Sequence, residues 1–476
     1  MGSSKLLPVD HLRKVEGWGG AVSSFGYVYS PKSTEELLEV IAIARKHDRK
    51  ITIRGAGRSY GDAATGAENI ILDTSGMNTV LSWNLEKGVI TVECGVTIEQ
   101  LWKHCIEDGW WPPVVPGTMY PTVGGCIGMN IHGKNNFKVG PFGDHVVSFT
   151  MVLVSGEIIN VSRESDAELF HAVIGGFGMF GIVVSITLQM KKVYSGLLRV
   201  QAWTTTDLHA LFDLYKEQIP KSDYLVGWVD CLSSGKKLGR SIVHQANYFA
   251  EGEDPTPTAT LRIDRQSLPE KILGVFPKSL VWMLLLPFMN NVGMKFINWL
   301  RIVASKLPLL GKPQYEQSHA EFAFLLDYVP GWKKAYGDGG LIQYQSFIPK
   351  EHAEKVFASQ IEMCQRAGIP PYLGVFKQHK PDAFLFTHAV DGFSLALDFK
   401  VTDANRGNLW KLCSEMNDLV LKHNGRFYFA KDATLRPSDF QAFLGDDVIQ
   451  KFKSLKEKYD PSGLLQTDLS QRLMRL

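Results

Sequence analysis

The chain has 476 residues, of which 45% are hydrophobic and 21% are charged, and its formal net charge is +2. This length predicts two or three domains, and we expect two. The composition is that of a globular protein, and the small net charge argues against nucleic acid as the main partner. The six cysteines contain no CxxC pair, which predicts reduced thiols, and the N-terminus lacks the apolar run of a secretory signal, so we expect a cytoplasmic protein.

The first elements that the sequence predicts are a helix and the strand into which it leads. Ser33 precedes Glu36 by three residues, which predicts a capping box, and the apolar repeat through Ala44 predicts a helix. A strand, ITIR, and a glycine-rich loop, GAGRSYGD, follow. NIILDTS and GVITVECGV predict strands, and TIEQLWKHCIEDG predicts a helix that ends at Gly109.

A long segment rich in proline and glycine comes next, WPPVVPGTMYPTVGGCIGMNIHGKNN. We expect no regular structure in it and interpret it as a functional loop. The residues after it predict a hairpin around Ser155 and Gly156, a helix in DAELFHAVIGG and a strand in GIVVSITLQMKKV. This first block closes near Lys192.

The pattern then changes to spaced strands with helices such as KEHAEKVFASQIEMCQRAG between them. It predicts a second domain with a mostly antiparallel sheet and helices on one face, and therefore an α+β protein. The tail that begins at GRFYFAKD is short and helical. We see no internal repeat.

The glycine-rich loop after ITIR is typical of phosphate binding, but two familiar phosphate loops are excluded. A Walker A loop ends in Lys-Ser/Thr, whereas this loop ends in YGD. The Rossmann fingerprint opens a helix, but Gly55, Gly57 and Gly61 are spaced one residue too long and a strand follows them. A literal GxGxxG within residues 176–181 follows a helix and precedes a strand, which is the reverse order.

What remains is a strand-loop-strand whose backbone N–H groups form a concave anion nest. Arg54 and Arg58 would add positive charge to it. A second cluster can supply another wall, and two nests fit a diphosphate better than one. The glycines of that cluster are Gly117, Gly124, Gly125, Gly128 and Gly133.

The motifs RGAGRSYGD, PVVPGTMYPTVGG, IHGKNN and GGFGMFGIV, in this order, resemble the FAD-binding domain of the vanillyl-alcohol oxidase and p-cresol methylhydroxylase superfamily. Within it, IHGKNNFKVGPFGDHV, KLGR, LIQYQSFIP, GVFK and GRFYFAKD resemble the FAD-containing oxidase subunits of decaprenylphosphoryl-β-D-ribose 2′-epimerases. The resemblance runs from about Gly17 to Leu476 and is weakest between about Glu251 and Ala320.

The resemblance implies three segments. Residues 1–195 would form a PCMH-type (p-cresol methylhydroxylase-type) FAD-binding domain of two subdomains, and residues 196–420 a substrate or cap domain with an antiparallel sheet flanked by helices. Residues 421–476 would return to the FAD domain and complete the active site.

The implied cofactor is FAD, and no metal site is expected. Many superfamily members bond the flavin to a histidine of the glycine loop, whereas the comparable position here is Arg58, so we expect dissociable FAD. The implied FAD-binding residues are Arg54, Gly55, Ala56, Gly57, Arg58, Ser59, Tyr60, Pro116, Gly117, Thr118, Thr122, Val123, Gly124, Gly125, Gly128, His132, Gly133, Asn135, Gly178, Val183 and Tyr428.

Oxidation of a secondary alcohol moves a hydride to the flavin and a proton to a base. The resemblance assigns the active-site pair to His132 and Lys431 and leaves open which of them is the base. Lysine suits such a site either as a stabilising charge or, with a lowered pKa, as the base. The implied substrate-binding residues are Tyr60, Lys134, Gln343, Gln345, Lys377 and Lys431.

Two of these residues share one side of a strand. In LIQYQSFIP, Gln343 and Gln345 alternate with Tyr344, so the two amides face one way and the phenol the other. From the residues alone, that side could be a pocket or solvent.

The chain departs from the family's best-known members at three positions. They carry a cysteine where this chain has Ala396, so chemistry that depends on that thiol is not expected. They carry a tyrosine and a proline where it has Ala323 and Leu325, so the pocket rim and the sugar or lipid can differ.

The leading hypothesis is an FAD-dependent oxidoreductase that converts the 2′-hydroxyl of a polyprenylphosphoryl-β-D-ribose to a ketone. A separate short-chain NAD(P)H-dependent reductase would then give the arabinose form used in cell-envelope glycans. Two alternatives remain: an oxidase of a soluble sugar, alditol or aldonolactone, and a flavoprotein without catalysis that binds a partner.

Residues 271–312 contain no acidic residue, while basic residues interrupt apolar stretches. The uncharged run from Ser279 to Met294 is shorter than the roughly 20 residues of a spanning helix, and Pro287 interrupts it. Two interpretations remain: a peripheral contact with the inner face of the membrane, and buried helices of the cap domain. The basic residues are Lys271, Lys278, Lys295, Arg301, Lys306 and Lys312.

Overall fold

The computed structural model describes residues 7–268, 271–272, 276–306 and 314–475. The first part of the chain forms two larger sheets and a two-stranded sheet, with helices around them. Its elements are β1 (Leu12–Glu16), β2 (Ser23–Tyr29), α1 (Thr34–Lys46), β3 (Ile51–Arg54), β4 (Ile70–Asp73), β5 (Val80–Asn84), β6 (Val89–Glu93), α2 (Ile98–Cys105), β7 (Trp110–Trp111), α3 (Val123–Gly128), α4 (Asn136–Val139), β8 (Val146–Val152), β9 (Ile158–Ser162), α5 (Ala167–Val173), β10 (Ile182–Gln189) and β11 (Lys191–Lys192).

The two larger sheets differ in strand direction, and β7 pairs with β11 in the two-stranded sheet. The four-stranded sheet has the order β1-β2-β4-β3, and β2, β4 and β3 run parallel. The five-stranded sheet, β5-β6-β10-β8-β9, is antiparallel throughout and contains the hairpin predicted around Gly156. The glycine-rich loop leaves the carboxyl end of β3 and returns as β4, which confirms the strand-loop-strand.

The second part of the chain is built on one large sheet. Its elements are β12 (Leu197–Thr205), α6 (Leu208–Gln218), β13 (Tyr224–Val229), β14 (Ser241–Tyr248), α7 (Pro257–Thr260), β15 (Lys271–Ile272), β16 (Phe276–Pro277), α8 (Val281–Leu285), α9 (Asn291–Lys306), β17 (Gln314–Ser318), α10 (His319–Ala323), β18 (Leu341–Pro349), α11 (Lys350–Arg366), β19 (Leu373–His379), β20 (Gly392–Lys400), α12 (Arg406–Lys422) and β21 (Arg426–Phe427).

This sheet has eight strands in the order β17-β12-β14-β13-β19-β20-β18-β21, and every neighbouring pair is antiparallel. Helices α6, α11 and α12 pack against it. Their buried apolar positions recur at helical spacing, as in Ala353, Phe357 and Ile361 of α11. The α+β class and the antiparallel sheet predicted from the sequence are confirmed.

The C-terminal residues form α13 (Pro437–Leu444), α14 (Asp446–Tyr459) and α15 (Asp468–Met474). After α14 the chain runs beside β3, where Ile51 N donates to Leu464 O at 2.8 Å. Arg472 of α15 pairs with Asp62 at 2.7 Å and with Asp432 at 2.8 Å. These ion pairs join the glycine-rich loop to the segment that carries Lys431. The division of the chain at residues 195 and 420 stays a prediction.

Two local expectations were wrong in part. The segment rich in proline and glycine contains a helix, α3, because Thr122 caps it by accepting from Gly125 N at 3.2 Å. A Cβ at Gly124 would lie 2.9 Å from Cys94, so packing requires glycine inside this helix. At α1 the capping box is half formed, since Ser33 accepts from Glu36 N but the Glu36 carboxylate accepts from Lys32 N.

The basic, apolar segment of residues 271–312 lies partly outside the described residues, at 273–275 and 307–312. Its described part forms α8 and α9. Nowhere in the described ranges is a helix both long and apolar enough to cross a membrane. All six cysteines are buried free thiols.

Candidate active site

A cavity of about 880 Å³ lies between the glycine-rich loops and the large sheet. Ligand pockets commonly have volumes of about 300–1,000 Å³. One wall comes from the loops after β3 and β7, and the facing wall comes from side chains of β13, β14, β18, β19 and β20. The segment after β21 contributes Tyr428, Ala430 and Lys431.

Most of the predicted FAD-binding residues line this cavity. They are Gly55, Ala56, Gly57, Arg58, Ser59, Tyr60, Pro116, Gly117, Thr118, Thr122, Gly124, Gly125, Gly128, His132, Gly178, Val183 and Tyr428.

Four predicted FAD-binding residues do not line the cavity, and each supports a loop instead. Arg54 donates to Ala64 O at 2.9 Å and to Glu16 O at 3.1 Å. Its guanidinium therefore stabilises the glycine-rich loop and does not line the anion nest. Asn135 donates to Pro113 O at 2.8 Å. Val123 is buried in the core, and a Cβ at Gly133 would lie 2.5 Å from Asn135 Oδ1.

The loop wall fits the diphosphate of FAD. Among the described residues, no protein atom accepts the backbone N–H groups of residues 56–59, which line the cavity. The loop can keep this shape because Gly57 has a φ of +62°. The Nε of Arg58 is buried and has no partner in the described ranges. Free N–H donors and an arginine in a concave wall match an anionic ligand.

The same loop places Tyr60 beside Lys431. Gly61 packs so closely on the C-terminal segment that a Cβ there would lie 1.6 Å from Asp432 O. Tyr60 N donates to Ala430 O at 2.8 Å. As a result, Lys431 Nζ lies 3.8 Å from the centre of the Tyr60 ring.

Lys431 interacts electrostatically with a carboxylate that the sequence analysis missed, that of Asp398. Asp398 is fully buried, accepts a hydrogen bond from Gln343 Nε2, and its second oxygen has no partner in the described chain. Burial lowers the pKa of Lys431, an effect that Asp398 opposes and Lys377 reinforces. Burial likewise raises the pKa of Asp398. The lysine therefore gives up its proton far more readily than a lysine in water.

His132 lies in a buried histidine cluster. Its Nε2 is 3.3 Å from Gln345 Nε2, and its Nδ1 is 3.5 Å from Lys377 Nζ. The rings of His379 and His388 lie 4.9 and 5.3 Å from its ring. Burial lowers the pKa of His132 well below its usual value, with Lys377 adding to the effect. The imidazole is therefore neutral near pH 7 and a weak base.

The predicted substrate-binding residues Tyr60, Lys134, Gln343, Gln345, Lys377 and Lys431 all line the cavity. Burial lowers the pKa of Lys377 to about 8. Lys134 is already engaged, because its Nζ donates to Phe322 O and, at 3.0 Å, to Ala323 O at the end of α10.

Strand register explains which residues share the cavity wall. Gln343 lies opposite Asp398, and Gln345 lies opposite Ala396. Tyr344 faces away and packs in the core. An aspartate in the otherwise apolar strand GFSLALDFK was a usable signal for Asp398, but only knowledge of its partner strand would have placed it beside Lys431.

Comparisons with known proteins agree with this site. Residues 26–162 match the family model described as an FAD binding domain. The chain is 28% identical to the decaprenylphosphoryl-beta-D-ribose oxidase of Mycolicibacterium smegmatis over 98% of both chains. It is 22% identical to a putative D-arabinono-1,4-lactone oxidase of Neurospora crassa over 94% of this chain and 83% of that one. It is 28% identical to the L-gulonolactone oxidase of Bos taurus over 44% of this chain and 47% of that one.

The FAD-binding match, the full-length similarity to a ribose oxidase and the cavity with its free loop donors agree on one assignment. Residues 26–162 form an FAD-binding domain, and the protein is an FAD-dependent oxidoreductase.

Proposed function

We propose that the protein oxidises the 2′-hydroxyl of a polyprenylphosphoryl-β-D-ribose to the 2′-ketone with FAD as cofactor. The observation that carries this proposal is the buried Lys431 amine beside Asp398 in the cavity that the FAD loops line. Similarity over 98% of the chain to a decaprenylphosphoryl-beta-D-ribose oxidase supports the choice of sugar.

FAD supplies the chemistry of accepting a hydride, and it would be held by the loop residues 55–59 and by Gly117, Thr122, Gly124 and Gly125. The protein's own residues handle the proton. Lys431, whose pKa burial lowers, accepts the proton of the substrate hydroxyl as the hydride leaves its carbon. Loss of one hydride and one proton converts the alcohol to a ketone. Asp398 then stabilises the ammonium that forms on Lys431.

The other polar residues orient the substrate indirectly, because they fix the side chains that contact it. Gln343 fixes Asp398, and Gln345 with Lys377 fixes the His132 ring. Because its pKa is depressed so far, His132 serves as a neutral hydrogen-bonding group and not as the base. The Tyr60 ring covers one side of the Lys431 amine, 3.8 Å from it.

The experiment is anaerobic mixing of the holoenzyme with farnesylphosphoryl-β-D-ribofuranose. We expect bleaching of the flavin absorbance and a product lighter by two hydrogen atoms in mass spectrometry. An unchanged flavin spectrum would refute the proposal.

A soluble sugar, alditol or aldonolactone oxidase is the alternative, and bleaching by a free polyol or lactone but not by the lipid-linked ribose would support it. It fits less well, because over nearly the full chain the putative lactone oxidase of Neurospora crassa is 22% identical, whereas the ribose oxidase is 28% identical.

We also propose a peripheral contact with the inner face of the membrane through α8 and α9. The observation that supports it is a cluster of exposed apolar side chains without acidic residues among them. An anionic lipid surface fits apolar residues flanked by lysines. The members are Leu280, Met283, Leu284, Leu286, Phe288, Val292, Phe296, Trp299 and Leu300, which we call the apolar helix face.

Epimerisation of the sugar needs a second reaction, since a 2′-ketone becomes the arabinose form only after reduction from the opposite face. We therefore propose a separate NAD(P)H-dependent reductase of the short-chain type as the partner that consumes the product.

A further inference from the structure

A second polar cluster lies in the same cavity, away from Lys431. It consists of Trp228 on β13, His244 on β14 and Arg301 on α9. Trp228 pairs with Ile242 and Val226 pairs with His244, so Trp228 and His244 project from the same face of the sheet. The guanidinium carbon of Arg301 lies 4.5 Å from the centre of the Trp228 ring. None of the three residues has a part in the proton transfer.

The charge of Arg301 is unbalanced. Within the described ranges no carboxylate lies within ion-pair distance of it, and its guanidinium makes no hydrogen bond to the protein. Its titratable neighbour is His244, whose pKa is lowered to about 4 by burial and by the charges of Arg301 and Lys134. A guanidinium stacked on an aromatic ring keeps its N–H fork free, and that fork matches the geometry of phosphate.

The position of α9 fixes where this arginine points. Asn298 is buried and donates to Asp230 Oδ1 at 2.8 Å, and Ile302 packs with Trp228 and Ile242. Arg301 lies between these two contacts. Phe296, Trp299 and Leu300 belong to the apolar helix face on the outer side. Arg301 therefore stands at the border between the cavity and that face.

The strand register gives the distance between Trp228 and the end of the cavity that contains Lys431. Trp228 lies opposite Val375, and Val375 lies opposite Ala396, which neighbours Asp398 on the cavity side. Trp228 and Ala396 are therefore two strands apart, which corresponds to roughly 10 Å. A pentosyl phosphate bridges a span of this order, with its sugar near Lys431 and its phosphate near Trp228.

We propose that Arg301, with Trp228 and His244, binds the phosphodiester of the lipid-linked sugar and thereby selects a phosphorylated substrate. The proposal rests on the proposed function and deepens it. The phosphate joins the sugar in the cavity to a lipid chain that leaves along the apolar helix face. Arg301 is a specificity residue for this substrate and takes no part in the chemical step.

The test compares the holoenzyme with its Arg301→Gln variant in anaerobic flavin reduction. The probes are farnesylphosphoryl-β-D-ribofuranose and the neutral farnesyl β-D-ribofuranoside. For the phosphorylated probe we expect the half-saturating concentration to rise by about 10-fold or more, with the limiting rate little changed, because a hydrogen bond to a charged group is lost. For the neutral probe we expect no change.

Lys216→Gln is the control, since Lys216 is exposed on α6 and does not line the cavity. It should behave as the parent does. An equal loss with both probes, loss of FAD from the Arg301→Gln variant, or no loss with the phosphorylated probe would overturn the role of Arg301.

If neither probe bleaches the parent flavin, the proposed function fails and Arg301 is judged by binding alone. Calorimetry with farnesyl phosphate and farnesol then decides the question. Weaker binding of farnesyl phosphate alone to the Arg301→Gln variant supports a phosphate site, and equal binding to both proteins overturns it.

Discussion

Lys431 combines three features that are rarely found together in a lysine. Burial lowers its pKa, its amine lies against the Tyr60 ring, and the carboxylate that interacts with it, Asp398, is itself fixed by Gln343. Burial destabilises the ammonium, while Asp398 limits the effect, so the amine stays available for proton transfer near neutral pH. We argue from this balance that Lys431 is the base.

Replacement of Lys431 by methionine should lower the limiting rate of flavin reduction by about 100-fold or more, since positioned bases contribute on the order of 10²–10⁴. FAD content and melting temperature should stay close to those of the parent, because methionine suits a buried site. Stopped-flow absorbance measures the rate. Lys411→Met, at an exposed position on α12, is the control.

Substitution of Asp398 tests the role of Lys431 in a second way. Asp398 raises the pKa of Lys431, so Asp398→Asn should shift the pH-dependent rise of the reduction rate to lower pH. An unmoved pH profile would contradict the pairing, whatever the loss of rate.

Arg58 stands where a covalent flavin link would need a histidine. Its guanidinium lies 4.9 Å from the Tyr120 ring and cannot form that bond. Acid precipitation should therefore release the flavin into the supernatant. A yellow pellet that survives washing would show that the prediction is wrong.

At the scale of elements, α8 and α9 differ from the other helices near the sheet. Phe296 and Trp299 are 50% and 49% exposed, whereas Asn298 and Ile302 are buried against the sheet. The helix is thus anchored on one side and apolar on the other. This arrangement suits contact with a lipid surface more than burial within the cap domain.

The double variant Phe296→Glu, Trp299→Glu should bind vesicles of anionic phospholipid at least about 10-fold more weakly in sedimentation, because each large apolar side chain contributes about 1.5–3 kcal/mol when buried. Binding of the parent should weaken as salt is added. Phe25→Glu is the control, since Phe25 is 59% exposed on β2. If the parent does not sediment with the vesicles, the membrane contact is refuted.

Most helices and strands could be predicted from local patterns in the sequence. The α1 repeat, the hairpin of β8 and β9 and the alternation in β18 are each set by residues close in sequence. The short helix α3 was missed because its glycines lower the helix propensity, and the contact with Cys94 that requires glycine is remote in sequence.

At the scale of the whole molecule, buried histidines tie stability to pH. Burial lowers the pKa of His388 to about 3 and of His244 and His319 to about 4, and that of His132 and His379 well below the usual value. The unfolded chain therefore binds more protons than the folded chain once the pH falls below about 6.5. The free energy of unfolding should therefore decrease as the pH falls below about 6.5.

Where such a histidine is protonated in the unfolded chain and neutral in the folded chain, it lowers the free energy of unfolding by about 1.4 kcal/mol for each unit by which the pH falls. Burial also lowers the pKa of His145, while the raised pKa values of Asp62, Asp144, Asp327, Asp382 and Asp398 act in the opposite direction; of these carboxyls only Asp398 has its pKa raised as far as about 7. We expect the melting temperature to decrease steadily from pH 7 to pH 5 in scanning calorimetry. A constant melting temperature over this range would contradict the buried, neutral histidines.

The resemblance of the sequence to a known family indicated FAD as the cofactor. The sequence by itself determined the strand-loop-strand that presents the backbone N–H groups and the side of β18 that carries the two glutamines. These features depend on glycine conformation and on the period of a strand, which are local properties. Only the tertiary structure decided that Asp398 faces Lys431, that three histidines meet, and that Arg301 stacks on Trp228 at the edge of the cavity. Each of these contacts joins residues on different elements through strand register and helix docking, which neighbouring residues in the sequence do not specify.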